Sequence, residues 1–362
     1  MLTMHPTLLI VPADWDAVRM PREDFLTRIA ALWGVCDGDV AGAIVFGNAR
    51  HHAELAWLTG FTPKLEAGLA LIPRHGAPRL FVGGGVNMLP AAQPLTWVES
   101  LLPLRGAAEA IAEWAREVGP SRRLALIGGD AMPFDLHRDI RAALAPAGAN
   151  DITARLVPLM RRKSALRDAC ATLDAVVAAL GAAWRSGAAV TAAILAAEET
   201  ANRAGAQDVR TLFSLDDGRT LVPFTGLDGR RVDPPQVYVA VRQRGYWAEG
   251  FAMFSTMPSA AQRAAGVVLR AGIAGMMPGV PRHILGTAIA MRPSHPIIAR
   301  SPIVDIGLSL EQKYPEEPDE MLAAGSTYSL RVGILDVGEA AIASAMIAVT
   351  ANGADVLWEQ AR

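Results

Sequence analysis

Cysteine is scarce in this chain, and long apolar runs and dense basic stretches are absent from its sequence. The 362 residues include 2 cysteines, Cys36 and Cys170, whose wide separation argues against a disulfide framework or a zinc site. No apolar run reaches the roughly 18 residues of a membrane-spanning helix. The 34 basic residues form no Lys/Arg block of the kind that neutralises phosphates in nucleic-acid-binding proteins. We therefore expect neither nucleic acid nor a membrane as a partner.

The composition that is present is typical of a globular protein. Hydrophobic residues make up 51% of the chain, charged residues make up 19%, and the net charge is −2, so we expect a large core and two domains. The stretch from Met1 to Val11 lacks the basic-then-apolar layout of a secretory signal and contains Pro6 but no Lys or Arg. The sequence predicts a cytoplasmic protein.

The first part of the chain alternates between strand and helix patterns. Apolar runs typical of strands lie at Ala43 to Phe46, Ala67 to Ile72 and Leu124 to Ile127. Helical spacing of apolar residues extends over Ala107 to Val118, which ends before Gly119-Pro120. This alternation predicts an α/β fold.

The pattern changes after a turn-rich stretch near residues 150 to 160. Lys163 to Trp184 is Ala-rich with one apolar face, which predicts a long helix, and Thr191 to Ala204 predicts a second helix. The remainder mixes strand and helix patterns. We therefore predict a domain boundary that divides the chain into residues 1–155 and 156–362.

Short motifs along the chain follow one another in an order that is hard to obtain by chance. They are Phe46-Gly47-Asn48, Trp57 to Phe61, Arg162-Lys163-Ser164 with Gly187 and Thr191, Phe213 to Gly218, Pro223-Phe224, Val237 to Glu249 with Gly245-Tyr246, Pro278-Gly279-Val280, Ile306 to Leu310, Tyr328 to Ile334, and Ala343 to Gly353. In this order they resemble the landmarks of the creatinase, aminopeptidase P and prolidase family. The resemblance implies an α/β (α+β) chain, with a creatinase-like N-terminal domain at 1–155, a pita-bread domain at 156–362, and a homodimer.

The resemblance also assigns the positions at which peptidases of this family bind metal. Those enzymes hold two divalent cations about 3.5 to 4 Å apart on two Asp, one His and two Glu. In this chain the corresponding positions fall on Tyr238, Glu249, Val304, Arg331 and Ser344. One carboxylate beside an arginine cannot offset the charge of two divalent cations. We therefore expect no catalytic metal and no other cofactor.

Creatinase itself resembles these peptidases but works without metal and uses a histidine as general acid and base. By the Pro223 landmark, that position is Phe224, which we expect to line the substrate pocket instead. The second domain retains only His283 and His295, and a lone histidine after Pro278-Gly279-Val280 is more typical of a solvated or capping residue. The histidine mechanism in its usual form is therefore not expected.

Arg331 and Glu249 are the charged residues that we expect at the former metal site. A guanidinium would take over the positive charge of a metal, bind a substrate carboxylate or oxyanion, and pair with Glu249. Either Glu249 or Glu311 would transfer the proton. The alternative is that this pair only fills a site that has lost its function, since a buried ion pair is weak evidence for stability or function.

Five more residues are candidates for ligand contacts. Tyr238 and Ser344 would add neutral hydrogen bonds, and Trp247 would stack on a ligand or belong to the core. Arg50 and His52 lie in a neighbourhood that, in dimeric creatinase-like proteins, reaches the pocket of the partner chain. The alternative for this second pair is a helix start at which the side chains of His51, His52 and Glu54 are exposed.

Three classes of function remain open. The first is a metal-independent hydrolase that acts on a C–N bond (amide or amidine) of a small carboxylate-bearing compound, which makes a small anionic molecule the expected partner. The second is a non-catalytic pita-bread binding protein, because Val304 and Phe224 are apolar. The third is an Xaa-Pro metallopeptidase with atypical ligands.

Overall fold

The computed structural model of the chain describes residues 15–18, 20–63, 66–118, 122–145, 147–160, 166–214, 216, 218–223, 229, 236–255, 257–290, 302–308, 310, 320–336 and 338–360. These residues belong to two compact units, Met1–Met160 and Arg161–Arg362, which we call the first and second units. No helix in the described part of the chain is long and apolar enough to cross a membrane.

The first unit is built on one sheet. Its strands are β1 (Val40–Asn48), β2 (Ala67–Pro73), β3 (Arg79–Val82), β4 (Ser100–Pro103), β5 (Arg123–Ile127) and β6 (Ala149–Asp151). They form a six-stranded sheet in the order β4-β3-β2-β1-β5-β6. Strands β2 and β3 pair antiparallel, as do β1 and β2, whereas β1–β5, β5–β6 and β3–β4 are parallel pairs.

Helices pack against this sheet, and its strands are apolar because their side chains are buried under these helices. They are α1 (Arg22–Val35), α2 (Ala53–Thr59), α3 (Leu89–Ala92), α4 (Ala107–Val118), α5 (Phe134–Leu144) and α6 (Thr153–Met160). Ile44 and Phe46 of β1 share a core with Ile111 of α4 and Ile140 of α5. Nearly every residue of β1 is buried, which fits the continuous apolar run of a strand that is covered on both faces. The α/β fold predicted from the sequence is confirmed.

The second unit combines two antiparallel sheets with four helices in its described part. The helices are α7 (Leu166–Arg185), α8 (Val190–Arg203), α9 (Ala260–Gly275) and α10 (Arg282–Ala290). Strands β7 (Asp208–Phe213), β8 (Val222–Pro223), β9 (Gln236–Gln243) and β10 (Tyr246–Met253) form one sheet, in the order β10-β9-β7-β8. Strands β11 (Ile303–Asp305), β12 (Thr327–Asp336), β13 (Glu339–Thr350) and β14 (Gly353–Glu359) form the other, in chain order.

Each sheet of the second unit has a helix-covered face. Helix α7 packs on β9 and β10, and α9 packs on β12 and β13. On β12 the helix-covered face is apolar, since Tyr328, Leu330, Val332 and Ile334 share a core with Leu269 of α9. The sheets meet where the backbone N–H of Phe251 donates a hydrogen bond to Ser344 Oγ at 2.8 Å. The opposite faces of the strands are therefore available for a site.

A tight turn sets the register of the β9–β10 hairpin. Gln243 pairs with Tyr246, and the two residues between them, Arg244 and Gly245, both have positive φ, at 49° and 83°. A two-residue loop with positive φ at both positions matches the right-handed twist of antiparallel strands. Arg244 also forms an ion pair with Asp168 of α7. Because the side-chain period of a strand is two, this turn decides which residues face away from α7.

Candidate functional site

The candidate site lies on the faces of the two sheets that point away from α7 and α9, which we call the inner face. On β9, Val237 lines an apolar cavity with Leu180 of α7, so the alternate residues Tyr238, Ala240 and Arg242 belong to the inner face. The register places Phe251, Glu249 and Trp247 of β10 directly opposite these three. All six side chains therefore project from one side of the first sheet.

The second sheet contributes its own inner-face residues. Since Leu330 and Val332 face α9, Arg331 and Ser329 point the other way. Arg331 is paired with Ser344 on β13, and Ser329 with Val304 on β11. The structure thus places on the inner face every position that the resemblance assigned to a metal ligand, namely Tyr238, Glu249, Val304, Arg331 and Ser344.

Glu249 is the centre of this cluster and is 0% exposed. Its Oε1 accepts a hydrogen bond from Arg331 Nε at 2.6 Å and also contacts Nη2 of the same guanidinium. Its Oε2 accepts a hydrogen bond from the Tyr238 hydroxyl at 2.6 Å. The Arg331 side chain is 16% exposed. Both carboxylate oxygens are therefore engaged, and the buried charge is balanced by the guanidinium.

Tyr238 is held in its protonated form. Burial raises the pKa of the phenol well above its usual value, and the adjacent charge of Glu249 raises this pKa further. The ring of Tyr238 lies 4.9 Å from that of Phe251, tilted by 47°. The hydroxyl is thus a fixed hydrogen-bond donor towards Glu249.

The side chains at these positions do not fit a dinuclear metal centre. They supply one carboxylate, a phenol, a hydroxyl, an aliphatic group and a guanidinium, whereas two divalent cations need several anionic oxygens or imidazoles. The one carboxylate is already paired with Arg331 at hydrogen-bond distance. Among the described residues, no group of three or more His, Cys, Asp or Glu side chains is placed to hold a metal ion.

Two serines complete the inner face of the second sheet. Ser344 Oγ accepts the hydrogen bond from the Phe251 N–H described above, which ties the two sheets together. Ser329 is fully buried, and its Oγ has no hydrogen-bond partner within the described part of the chain. Sequence reasoning missed Ser329, although its separation of two residues from Arg331 on one strand is a signal for it.

Trp247 lies beneath two arginines that sequence reasoning also missed. The guanidinium carbon of Arg210 lies 4.7 Å from the centre of the Trp247 ring, and that of Arg242 lies 5.4 Å from it. Trp247 is only 2% exposed, and its backbone N–H donates a hydrogen bond to the backbone carbonyl of Gly307 at 2.6 Å. The indole is thus a support for two cations, and the predicted stacking on a ligand stays a prediction.

Several residues that the sequence suggested for the site are not among those that the structure describes. Phe224, Glu311 and His295 lie outside the described residues, so their expected roles stay predictions. His283 is the second residue of α10 and is exposed. The structure therefore brings together Glu249, Arg331, Tyr238 and Ser344 but gives no placement for Phe224 or Glu311.

Arg50 and His52 belong to the first unit, in the turn between β1 and α2. Asn48 Oδ1 accepts hydrogen bonds from the backbone N–H groups of Arg50 and His51, at 2.9 and 2.8 Å. A helix does start here, at Ala53, but the expected exposure of His52 and Glu54 is wrong, because both are buried. The physical reason is that every residue of α2 is buried against its neighbours, so the helix has no solvated face.

Comparison with known proteins finds the fold in solved structures. No family model and no curated protein matches the chain. The X-Pro aminopeptidase of Thermotoga maritima matches with a TM-score of 0.74 and 14% identity, over 93% of this chain and 98% of that one. Aminopeptidase P of E. coli matches with a TM-score of 0.71 and 15% identity, over 93% and 94%. The prolidase of Pyrococcus horikoshii matches with a TM-score of 0.68 and 13% identity, over 94% and 99%. The chain therefore has the two-domain fold of the creatinase, aminopeptidase P and prolidase family, as the resemblance predicted.

Proposed function

We propose that the second unit holds a metal-independent site for a small anionic compound and that the chain hydrolyses a C–N bond, of amide or amidine type, in that compound. The observation that carries this proposal is the cluster in which Arg331 and Tyr238 both bind the buried carboxylate of Glu249. The guanidinium of Arg331 provides the positive charge that a metal ion would otherwise supply, and the carboxylate of Glu249 lies beside it as a proton acceptor.

The charge of the inner face favours an anionic ligand. On β7, β9, β10 and β12 it carries the cations Arg210, Arg242 and Arg331 and the anions Asp208 and Glu249. The inner-face residues of these strands thus carry one positive charge in excess. A substrate carboxylate at Arg331 would offset it through a bidentate interaction that guanidinium geometry favours.

The nature of the bond comes from proteins of the same fold. Solved structures with this fold are named as X-Pro aminopeptidase, prolidase and dipeptidase, so hydrolysis of an amide-type C–N bond is the reaction that we carry over. Identity to these proteins is below 20%, so the reaction is a proposal.

With Glu249 as the proton-transfer group, the proposed reaction uses only groups whose positions are described above. A substrate carboxylate that draws Arg331 towards itself releases Glu249 Oε1, which then accepts a proton from the attacking water. Water adds to the carbon of the amide or amidine, the C–N bond breaks, and Glu249 returns its proton to the leaving nitrogen. Tyr238, which stays protonated, keeps its hydrogen bond to Glu249 Oε2 and so orients the carboxylate towards the attacking water. Glu311 is the alternative proton-transfer group.

A second candidate function is binding without turnover. It is favoured by the engagement of both Glu249 oxygens and by the aliphatic side chain of Val304, which together resemble the filling of a disused site. In this case Arg331 would still bind the anion, and no bond would break.

The first unit enters the proposal through the expected homodimer. By resemblance, Arg50 of one protomer would lie near the pocket of its partner, whereas His52 is buried within its own unit and is not available for such a contact. Sedimentation of the purified protein tests the dimer. A dimer whose Arg50→Ala variant assembles normally but binds the ligand less tightly would support a composite site, and unchanged binding would contradict it.

The thermal midpoint of unfolding provides the test of the site, because a ligand that binds the folded state raises it. We expect manganese, cobalt, zinc and EDTA to leave the midpoint unchanged, and small N-acyl and amidino carboxylates to raise it. Product formation followed by NMR separates hydrolysis from binding alone. A raised midpoint with two bound metal equivalents would contradict the proposal and favour an atypical metallopeptidase.

Two variants assign the effect to the site. Arg331→Gln should remove the stabilisation by carboxylates. Arg203→Gln, which breaks an exposed ion pair with Glu199 on α8, is the matched control and should leave it unchanged. Equal responses of both variants would show that carboxylates bind elsewhere.

A further inference from the structure

The arginine pair above Trp247 is a charged cluster that the proposed reaction does not use. Arg210 and Arg242 place their guanidinium carbons 4.7 and 5.4 Å from the centre of one indole ring. An indole face attracts a cation, and its attraction grows when the cation is desolvated. Trp247 therefore holds two like charges close together on the inner face.

The two cations repel each other, and one of them is poorly hydrated. Arg242 is 4% exposed, and burial lowers the pKa of its guanidinium. Asp208 opposes this shift, whereas Arg210 adds to it. Asp208 Oδ2 lies 3.8 Å from Arg210 Nη2, an ion-pair distance that is too long for a hydrogen bond. A further anion near Arg210 and Arg242 would reduce this repulsion.

Arg210 is accessible to such an anion. Its side chain is 56% exposed, so a ligand can reach the guanidinium without displacing a packed residue. Trp247 and Arg242 beneath it are buried, which fixes the base on which the guanidinium rests. The cluster thus offers one presented cation on a rigid support, the arrangement that makes anion recognition selective.

The position of Arg210 relates it to the proposed site. Arg210 is paired with Ala240, and Ala240 with Glu249, so the three residues form one row across β7, β9 and β10. Neighbouring strands are spaced by about 4.8 Å, which places the backbones of Arg210 and Glu249 roughly 9.6 Å apart on the same face. Arg331 contacts Glu249 at the far end of this row. The two cationic positions can therefore be bridged by one small molecule.

We propose that Arg210, supported by Trp247 and Arg242, is a second anion subsite and that the ligand of this protein carries two anionic groups. This inference rests on the proposed function, since Arg331 receives the first anion. The class of ligand it indicates is a short dicarboxylate-like compound with the C–N bond between its acidic ends. A compound with one anionic group would use only Arg331.

The test compares acids that differ in the number of carboxylates. Succinate, glutarate and adipate are titrated into the full-length protein by calorimetry, with butyrate as the monocarboxylate. We expect at least one dicarboxylate to bind about tenfold more tightly than butyrate or better, the gain from one added charge-assisted contact. Equal affinities for butyrate and all three dicarboxylates would overturn the second subsite but leave the proposed function in place.

Variants separate the two anion positions. Arg210→Gln, at a half-exposed site where folding is expected to persist, should reduce dicarboxylate affinity to that of butyrate while butyrate itself binds as before. Arg210→Lys should restore part of the difference, and Trp247→Phe should weaken it less than Arg210→Gln, because phenyl is the weaker cation partner. Arg203→Gln is again the control and should change nothing.

The outcome with Arg331→Gln distinguishes the two proposals. Loss of both butyrate and dicarboxylate binding supports them together. Dicarboxylate binding that needs Arg210 but not Arg331 would contradict the proposed function while the anion subsite stands. Dicarboxylate binding that survives Arg210→Gln in full would overturn the subsite, and absence of binding by all four acids would overturn both.

Discussion

The two faces of β12 differ in chemistry although both are buried. Facing α9, Tyr328, Leu330 and Val332 are nearly inaccessible and belong to one apolar core. On the inner face, Ser329 is equally inaccessible, and Arg331 is tied to a buried carboxylate. One strand therefore carries a packing surface on one side and a polar cluster on the other.

This difference separates what stabilises the fold from what serves another purpose. Apolar burial contributes about 25 cal/mol per Å² of covered surface, so the α9 side stabilises the unit directly. A buried ion pair contributes little net stability, because desolvation offsets the attraction of its charges. We therefore propose that the polar inner face serves ligand recognition rather than folding.

The largest expected effect on the free energy of unfolding comes from breaking a buried ion pair of the second unit. Glu249→Ala leaves Arg331 without its carboxylate, and we expect a loss of about 3–5 kcal/mol in the free energy of unfolding. Asp305→Ala is the matched control. Asp305 Oδ2 lies 2.7 Å from Nη1 of the partly buried Arg282, and this ion pair is not on the inner face. Urea unfolding should show a smaller loss for Asp305→Ala, because Arg282 keeps its contact with Glu320. Calorimetry should show a changed carboxylate affinity only for Glu249→Ala, and that affinity should be tighter because Arg331 no longer has to leave a competing carboxylate. Equal carboxylate affinities of the two variants would show that the inner-face ion pair has no special role in ligand binding.

Leu330→Ala tests the apolar face. Leu330 is 0% exposed and packs towards Gly272 of α9, so the cavity should lower the free energy of unfolding by about 2–5 kcal/mol. Carboxylate affinity should not change under conditions in which the variant is folded. A change in affinity as large as that of Arg331→Gln would show that the two faces are not independent.

Tyr238→Phe removes one hydrogen bond from the inner cluster without changing its shape. Glu249 Oε2 loses its donor, and a hydrogen bond to a charged group is worth about 1.5–3 kcal/mol. We therefore expect a smaller loss of stability than for Glu249→Ala, together with a reduced rate of any turnover and little change in ligand affinity. Unaltered stability would mean that water replaces the phenol.

The smallest expected effect is a pH dependence above pH 10. Because the pKa of Tyr238 is raised in the folded state, the unfolded chain releases the phenol proton first. Its stabilising contribution is therefore complete below the unfolded value near 10 and is lost as pH rises towards the folded pKa, at no more than about 1.4 kcal/mol per pH unit. Urea unfolding of the protein and of Tyr238→Phe between pH 8 and 11 should differ in slope only above pH 10. A difference in slope below pH 9 would contradict this.

The sequence predicted the scaffold and half of the inner cluster. Local patterns located β1, β2 and β5, and Gly245-Tyr246 fixed the positions that bring Glu249 and Tyr238 to one face. The facing of Glu249 and Arg331 followed from the family resemblance, because these residues are distant in sequence. The resemblance could bring these two residues together because it covered both the β9–β10 and the β12–β13 hairpins.

The parts that were missed depend on contacts that no local pattern encodes. Arg210 joins the cluster through the pairing of β7 with β9, whose partner residues are distant in sequence. Burial of His52 and Glu54 results from packing around a helix that is short and polar at its start. In each case tertiary packing overrides the local signal.

The two-residue turn between β9 and β10 affects which substitutions the hairpin can accept during evolution. Arg244 and Gly245 set the strand register at one end of the hairpin, away from Glu249. A substitution on the inner face therefore changes the chemistry of the site without shifting any neighbour to the opposite face. Mutations can thus replace the groups of an inherited pocket one at a time while the protein continues to fold. A change in the length of this turn would instead exchange the faces of the hairpin in a single event.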